Sequence, residues 1–146
     1  MLSSFAGNKT INGKNHETKI GGTCKASSII YGVKCIQCDK WYVGESGMKM
    51  HERLNAHRYS INKLKKGGTL DKSNDTGLAD HFSEGGHNFD KDAELYILEN
   101  GNWNTVDERQ AKESFYICRY GTMEPVGLNK KAGFLGDIYQ KMNGMA

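Results

Sequence analysis

Between residues 29 and 44 the chain reads Ile-Ile-Tyr-Gly-Val-Lys-Cys-Ile-Gln-Cys-Asp-Lys-Trp-Tyr-Val-Gly. Two β-prone runs flank a polar turn, the pattern of an antiparallel hairpin that carries both Tyr31 and Tyr42. After the break at Gly44-Glu45-Ser46-Gly47 the period changes. Met50, Leu54, His57, Ile61 and Leu64 recur at spacings of 4, 3, 4 and 3, which predicts a helix of about 16–18 residues with one apolar stripe. Gly67-Gly68 stops it. A short helix through Leu78, Ala79 and Phe82 follows, with Asp75-Thr76 as its cap, and ends at Gly85-Gly86. Ala93 to Glu99 reads as a third strand before the Asn100-Gly101 turn. Thr105 and Glu108 form a capping box that opens a helix to about Arg119. On this helix Val106, Gln110, Glu113 and Ile117 share one side. A small antiparallel sheet with helices packed against it buries these stripes, so the expected class is α+β with three strands.

Residues 1 to 26 are rich in Gly, Asn, Lys, Ser and Thr without a sustained apolar period. They read as a flexible arm or linker and are left out of the expected fold. One domain is then expected over residues 27 to 130, with 131 to 146 as a C-terminal extension. No stretch reaches the roughly 20 apolar residues that span a bilayer, and the run from Leu2 to Ala6 is too short for a secretory core. An intracellular protein is expected, nuclear if the cell is eukaryotic.

The net charge of +3 does not by itself imply a nucleic-acid partner. Its distribution changes the picture. Lys49, Arg53, Arg58, Lys63, Lys65 and Lys66 fall within the first long helix and its flanks against a single acid, Glu52. Polar aromatic groups on one sheet face beside such a helix point to an anionic substrate. A solvated helix face is the plainer reading.

Cys35 and Cys38 have the spacing of half a zinc site, placed on a hairpin turn where both thiolates can face one ion. His81 and His87, separated by five residues, supply the other two ligands of a Cys2His2 set. Cys24 can replace one histidine, whereas Cys118 reads as a small buried helix residue. The rival is a redox disulfide between Cys35 and Cys38, for which no βαβ context is present.

Taken in order, Ile29-Ile30-Tyr31, Tyr42-Val43-Gly44, Arg53, His57, Glu113 and Asn129 resemble the GIY-YIG nucleases. The cysteines between the two blocks, and the run Tyr42 to Gly47, are similar to the branch found in Penelope-like retroelements. Ile29 stands where the family's first block has glycine, and Val43 replaces isoleucine. The resemblance spans residues 28 to 130 and implies a metal-dependent DNA endonuclease or nicking domain of a mobile element. An attached reverse transcriptase or targeting domain is an expected partner.

It further implies that Glu113 holds Mg²⁺ or Mn²⁺, that Arg53 grips phosphate oxygens, and that Tyr31, Tyr42 and His57 position or deprotonate the attacking water. Asn129 orients a metal-bound water or holds a loop. Lys49, Arg58 and Lys63 are expected DNA contacts. Each residue also has an ordinary reading: Glu113 as the i+4 ion-pair partner of Arg109, Arg53 on the surface, the tyrosines as strand aromatics, His57 as a hydrogen-bonded core residue. Two other functions compete: a catalytically silent, zinc-stabilised nucleic-acid-binding module, and a structural interaction domain.

Overall fold

The computed structural model of the chain describes residues 3–5, 8–20, 28–101, 103, 105–133 and 135. In chain order its elements are β1 (Ser3–Phe5), β2 (Asn8–Ile11), β3 (Lys14–Glu17), β4 (Lys19–Ile20), β5 (Ile29–Cys35), β6 (Lys40–Ser46), α1 (Met50–Lys65), α2 (Gly77–Ser83), α3 (Phe89–Asp92), β7 (Ala93–Asn100) and α4 (Val106–Tyr120). The class is α+β, and its centre is an antiparallel sheet in which β5 pairs with β6 on one side and β7 on the other. No helix among the described residues is long and apolar enough to cross a membrane.

Strand β5 lacks alternation because both of its faces are covered. Ile29, Tyr31, Val33 and Cys35 join a core with Ile61 of α1 and Leu78 and Phe82 of α2. Ile30 points the other way, into a second core with Trp41, Val43, Leu98 and the α4 residues Tyr116, Ile117 and Tyr120. The sheet is therefore the middle of three layers. Helix α4 begins as its capping box predicts, with the Thr105 hydroxyl accepting from the Glu108 N–H at 3.2 Å, and it ends at Gly121 in the left-handed conformation. Ile29, the departure from glycine, is ordinary extended backbone paired with Ser46 and Asn100.

Residues 8–20 correct the expectation of a flexible arm. Asn12 and Gly13 both take positive φ, 49° and 81°, and turn β2 into β3 as a two-residue hairpin. Its buried side chains belong to the second core: Ile11 is 0% exposed and packs with Trp41 and Tyr116. His16 is also buried, with Nδ1 at 2.6 Å from the Tyr120 hydroxyl and Nε2 at 2.8 Å from the Leu98 carbonyl. Asn12 donates to the Tyr120 carbonyl at 2.6 Å. Strands β1 and β4 then add to β7 in parallel. Cys24 and most of the expected C-terminal extension lie outside the described residues.

On the far side of the sheet, the Leu128 N–H donates to the Trp41 carbonyl at 2.8 Å. The Asn129 side-chain amide pairs with both backbone groups of Val43, at 2.9 and 3.0 Å. A loop residue thus behaves as one rung of a strand.

Candidate active site and metal centre

A cleft of about 860 Å³ is lined by Tyr42 and Glu45 of β6, Arg53 and His57 of α1, Glu113 of α4, and Asn129. These come from both helical layers and the strand between them. Arg53 and His57 share a face because they stand four apart on one helix.

Behind the cleft wall lies Tyr31, which is 0% exposed. Its hydroxyl is 2.6 Å from His57 Nε2 and accepts from Arg53 Nε at 3.2 Å. Burial, with Arg53 next, pulls the His57 imidazole down to about 3, so the ring is neutral. In the tautomer that carries its proton on Nδ1, Nε2 accepts from the Tyr31 hydroxyl, and the three groups form a directed chain from guanidinium through phenol to imidazole. Burial also pushes the Tyr31 phenol up to about 12, against the pull of Arg53. Tyr42 is raised well above its usual range, again mainly by burial. Only Tyr42 of the two phenols lines the cleft; Tyr31 serves to hold Arg53 and His57 together.

The terminal glycine of the Tyr42-Val43-Gly44 block now has a physical reason. A Cβ added at Gly44 would stand 2.4 Å from the Tyr31 hydroxyl oxygen and 2.5 Å from the ring carbon that bears it. Gly44→Ala is expected to cost about 1–3 kcal/mol through forced displacement of a packed ring, read as a fall in melting temperature of about 2–12 °C. An unchanged melting temperature would show that the ring has room to move.

Glu113 lines this cleft together with three other acids, Glu45, Asp71 and Asp75. Burial, and then the negative charges of Glu45 and Asp75, raise its carboxyl to about 8, although Arg53 and the Glu45 backbone amide pull the other way. Its expected ordinary partner, Arg109, is engaged elsewhere: the guanidinium bonds and ion-pairs with Glu45. No ion pair to Glu113 occurs among the described residues. A half-buried carboxylate that lines a cleft and holds no ion pair among the described residues is an oxygen donor suited to a hard divalent cation.

Asn129 is 1% exposed and its amide is fully used, by Val43, by the Thr122 hydroxyl at 2.7 Å and by Asp75 at 3.1 Å. It holds the loop at the cleft. Asp75, expected only as a helix cap, accepts from Gly77 as a cap does and also from the backbone amides of Lys130 and Lys131.

The basic residues divide. Lys49 and Lys63 are exposed, have no carboxylate partner among the described residues, and lie four residues before Arg53 and three after Ser60, both cleft-lining. Arg58 is turned away from them: it pairs with Asp90 at 2.8 Å and lies 6.0 Å from the Phe89 ring centre.

The second cluster sits at the hairpin turn. One ligand atom from each of Cys35, Cys38, His81 and His87 lies within 4.8 Å of the others. Cys38 Sγ is 3.3 Å from His87 Nε2, close to the roughly 3.5 Å edge of a tetrahedron with zinc–sulfur and zinc–nitrogen bonds. His81 Nε2 is buried with no hydrogen-bond partner among the described residues, which leaves a ring nitrogen open to a bound ion. These four residues can hold a metal such as zinc. Cys35 and Cys38 are free thiols. Cys118 lies on α4 and is half-buried.

Glu45 and its pairing with Arg109 had no local signal, since the partners stand 64 residues apart. Comparison with family models, with curated proteins and with solved structures finds no match to this chain.

Proposed function

We propose that the chain is a divalent-metal-dependent DNA endonuclease or nicking domain, serving a mobile genetic element, with a structural zinc at its hairpin turn. The observation that carries this reading is the chain Arg53–Tyr31–His57, whose two ends line one cleft together with Glu113, a half-buried carboxylate that has no ion pair among the described residues.

Mg²⁺ or Mn²⁺ held by Glu113 would supply counter-charge for the phosphate oxygens. Arg53 would bind those oxygens through its remaining guanidinium N–H groups, its Nε being spent on Tyr31. His57, which burial and Arg53 keep neutral, would hold Tyr31 against Arg53, and Tyr42 is the phenol that borders the cleft. Lys49 and Lys63 continue the cationic track along α1 to the flanking backbone phosphates. Cys35, Cys38, His81 and His87 would hold Zn²⁺ and tie the turn to α2, fixing the strand that carries Tyr31.

Supercoiled plasmid incubated with the protein and Mg²⁺ or Mn²⁺ tests the proposal. Conversion to nicked or linear DNA supports it. Salt-dependent DNA binding without cutting under either cation would favour the silent binding module instead, and no binding at low salt would favour an interaction domain.

A further inference from the structure

Arg109 and Glu113 stand four apart on α4, the spacing at which a guanidinium and a carboxylate on one helix face meet. In the cleft they do not pair. The Arg109 guanidinium is drawn onto Glu45 of β6, and both side chains of that pair are largely shielded, with relative exposures of 16% and 19%. The loop beyond β6 makes room for it: a Cβ added at Gly47 would stand 2.9 Å from Arg109 Nη1 and 3.2 Å from Nη2. Glu45 thus supplies the attraction and Gly47 the space.

We propose that Glu45 is a positioning residue for the metal-binding carboxylate: by sequestering Arg109 it keeps Glu113 free to take a divalent cation. The inference rests on Glu113 as the cation's ligand. Without Glu45, the carboxylate at the i+4 pairing position of a released Arg109 on its own helix is Glu113. An ion pair there would compete directly with a bound cation, because both need the same oxygens. Glu45 would act through Arg109 and need not touch the metal.

The test is Mn²⁺ binding followed by the loss of the free-ion electron paramagnetic resonance signal, a readout independent of cutting. Glu45→Gln is expected to weaken Mn²⁺ binding about tenfold. Glu45→Gln combined with Arg109→Gln is expected to return to within about threefold of the natural protein, and Arg109→Gln alone to bind at least as well. Circular dichroism of each variant checks that the fold is retained. Unchanged binding in a folded Glu45→Gln overturns the proposal while leaving Glu113 as a ligand. A double variant as weak as Glu45→Gln overturns it by making Glu45 a direct ligand. No Mn²⁺ binding to the natural protein, or binding that survives Glu113→Gln, defeats the reading of Glu113 itself, and the proposal with it.

Discussion

Glu113→Gln is expected to abolish DNA cutting and, in the same protein, to raise the melting temperature at pH 8. Loss of the cation's ligand removes several kcal/mol of transition-state charge stabilisation, so the rate should fall about 1,000-fold or more, equivalent to about 4 kcal/mol. The stability effect has the opposite sign because the carboxylate loses much of its hydration in the cleft and has no ion pair among the described residues. Its value in the folded chain, about 8, lies above the ordinary 4.5. Between those values the folded form holds a proton that the unfolded form has released, so stability is greatest below pH 4.5 and declines as pH rises through about 8. Glutamine has no charge to desolvate. The two proteins should therefore melt together near pH 4.5 and diverge toward pH 8, without added divalent cation. The rise from 4.5 to about 8 corresponds to on the order of 4 kcal/mol at pH 8, or about 8–16 °C. A Glu113→Gln protein that cuts at the natural rate would remove this residue from the chemistry. One that melts with the natural protein at pH 8 would show that the cleft does not penalise the charge.

Stripping zinc is expected to lower the melting temperature by about 8–16 °C, the effect of a ligand present at about 1,000 times its dissociation constant in a domain of this size. Cys38→Ser should do the same, since Cys38 is the exposed member of the set and its loss leaves no core cavity. Collapse of the whole fold is not expected, because the turn is held by other bonds. The Ile36 N–H donates to the Asp92 carbonyl at 2.8 Å. Gln37 donates to the Gly86 carbonyl at 2.9 Å and to the Asp92 carboxylate at 2.6 Å. Elemental analysis should find one zinc per chain. A zinc-free protein whose melting is indifferent to chelation would leave the four side chains as an unrelated cluster.

Local pattern is enough for some of this and not for the rest. The stripe Met50 to Leu64 predicts α1, and Thr105 with Glu108 marks the start of α4, because period and cap are properties of neighbouring residues. The β2–β3 hairpin escapes such a reading although Asn12-Gly13 is a strong turn signal. Each of its short strands contributes one buried side chain, Ile11 and His16, too few to register as alternation. Helix α3, four residues long, has no room for a period. The candidate site shows the same division. Motif and helical spacing name Tyr31, Arg53 and His57, but the i+4 rule assigns Arg109 to Glu113, and a partner from β6 wins the guanidinium. Arg58 departs from its expected place for a similar reason, its side chain being held by Asp90, 32 residues away.

Asn129 has a second consequence, for the company this sheet can keep. The outer strands of a sheet present unpaired backbone groups on which another polypeptide can lay a strand, the first step toward aggregation. On β6 the carbonyl of Trp41 is taken by Leu128, and both groups of Val43 are taken by Asn129. On the opposite border β7 is covered by β1 and β4. The β6 border is therefore blunted at Trp41 and Val43 by the chain's own backbone and amide, so a strand laid along it would meet groups already taken, while on the other side β1 and β4 stand as the outer strands.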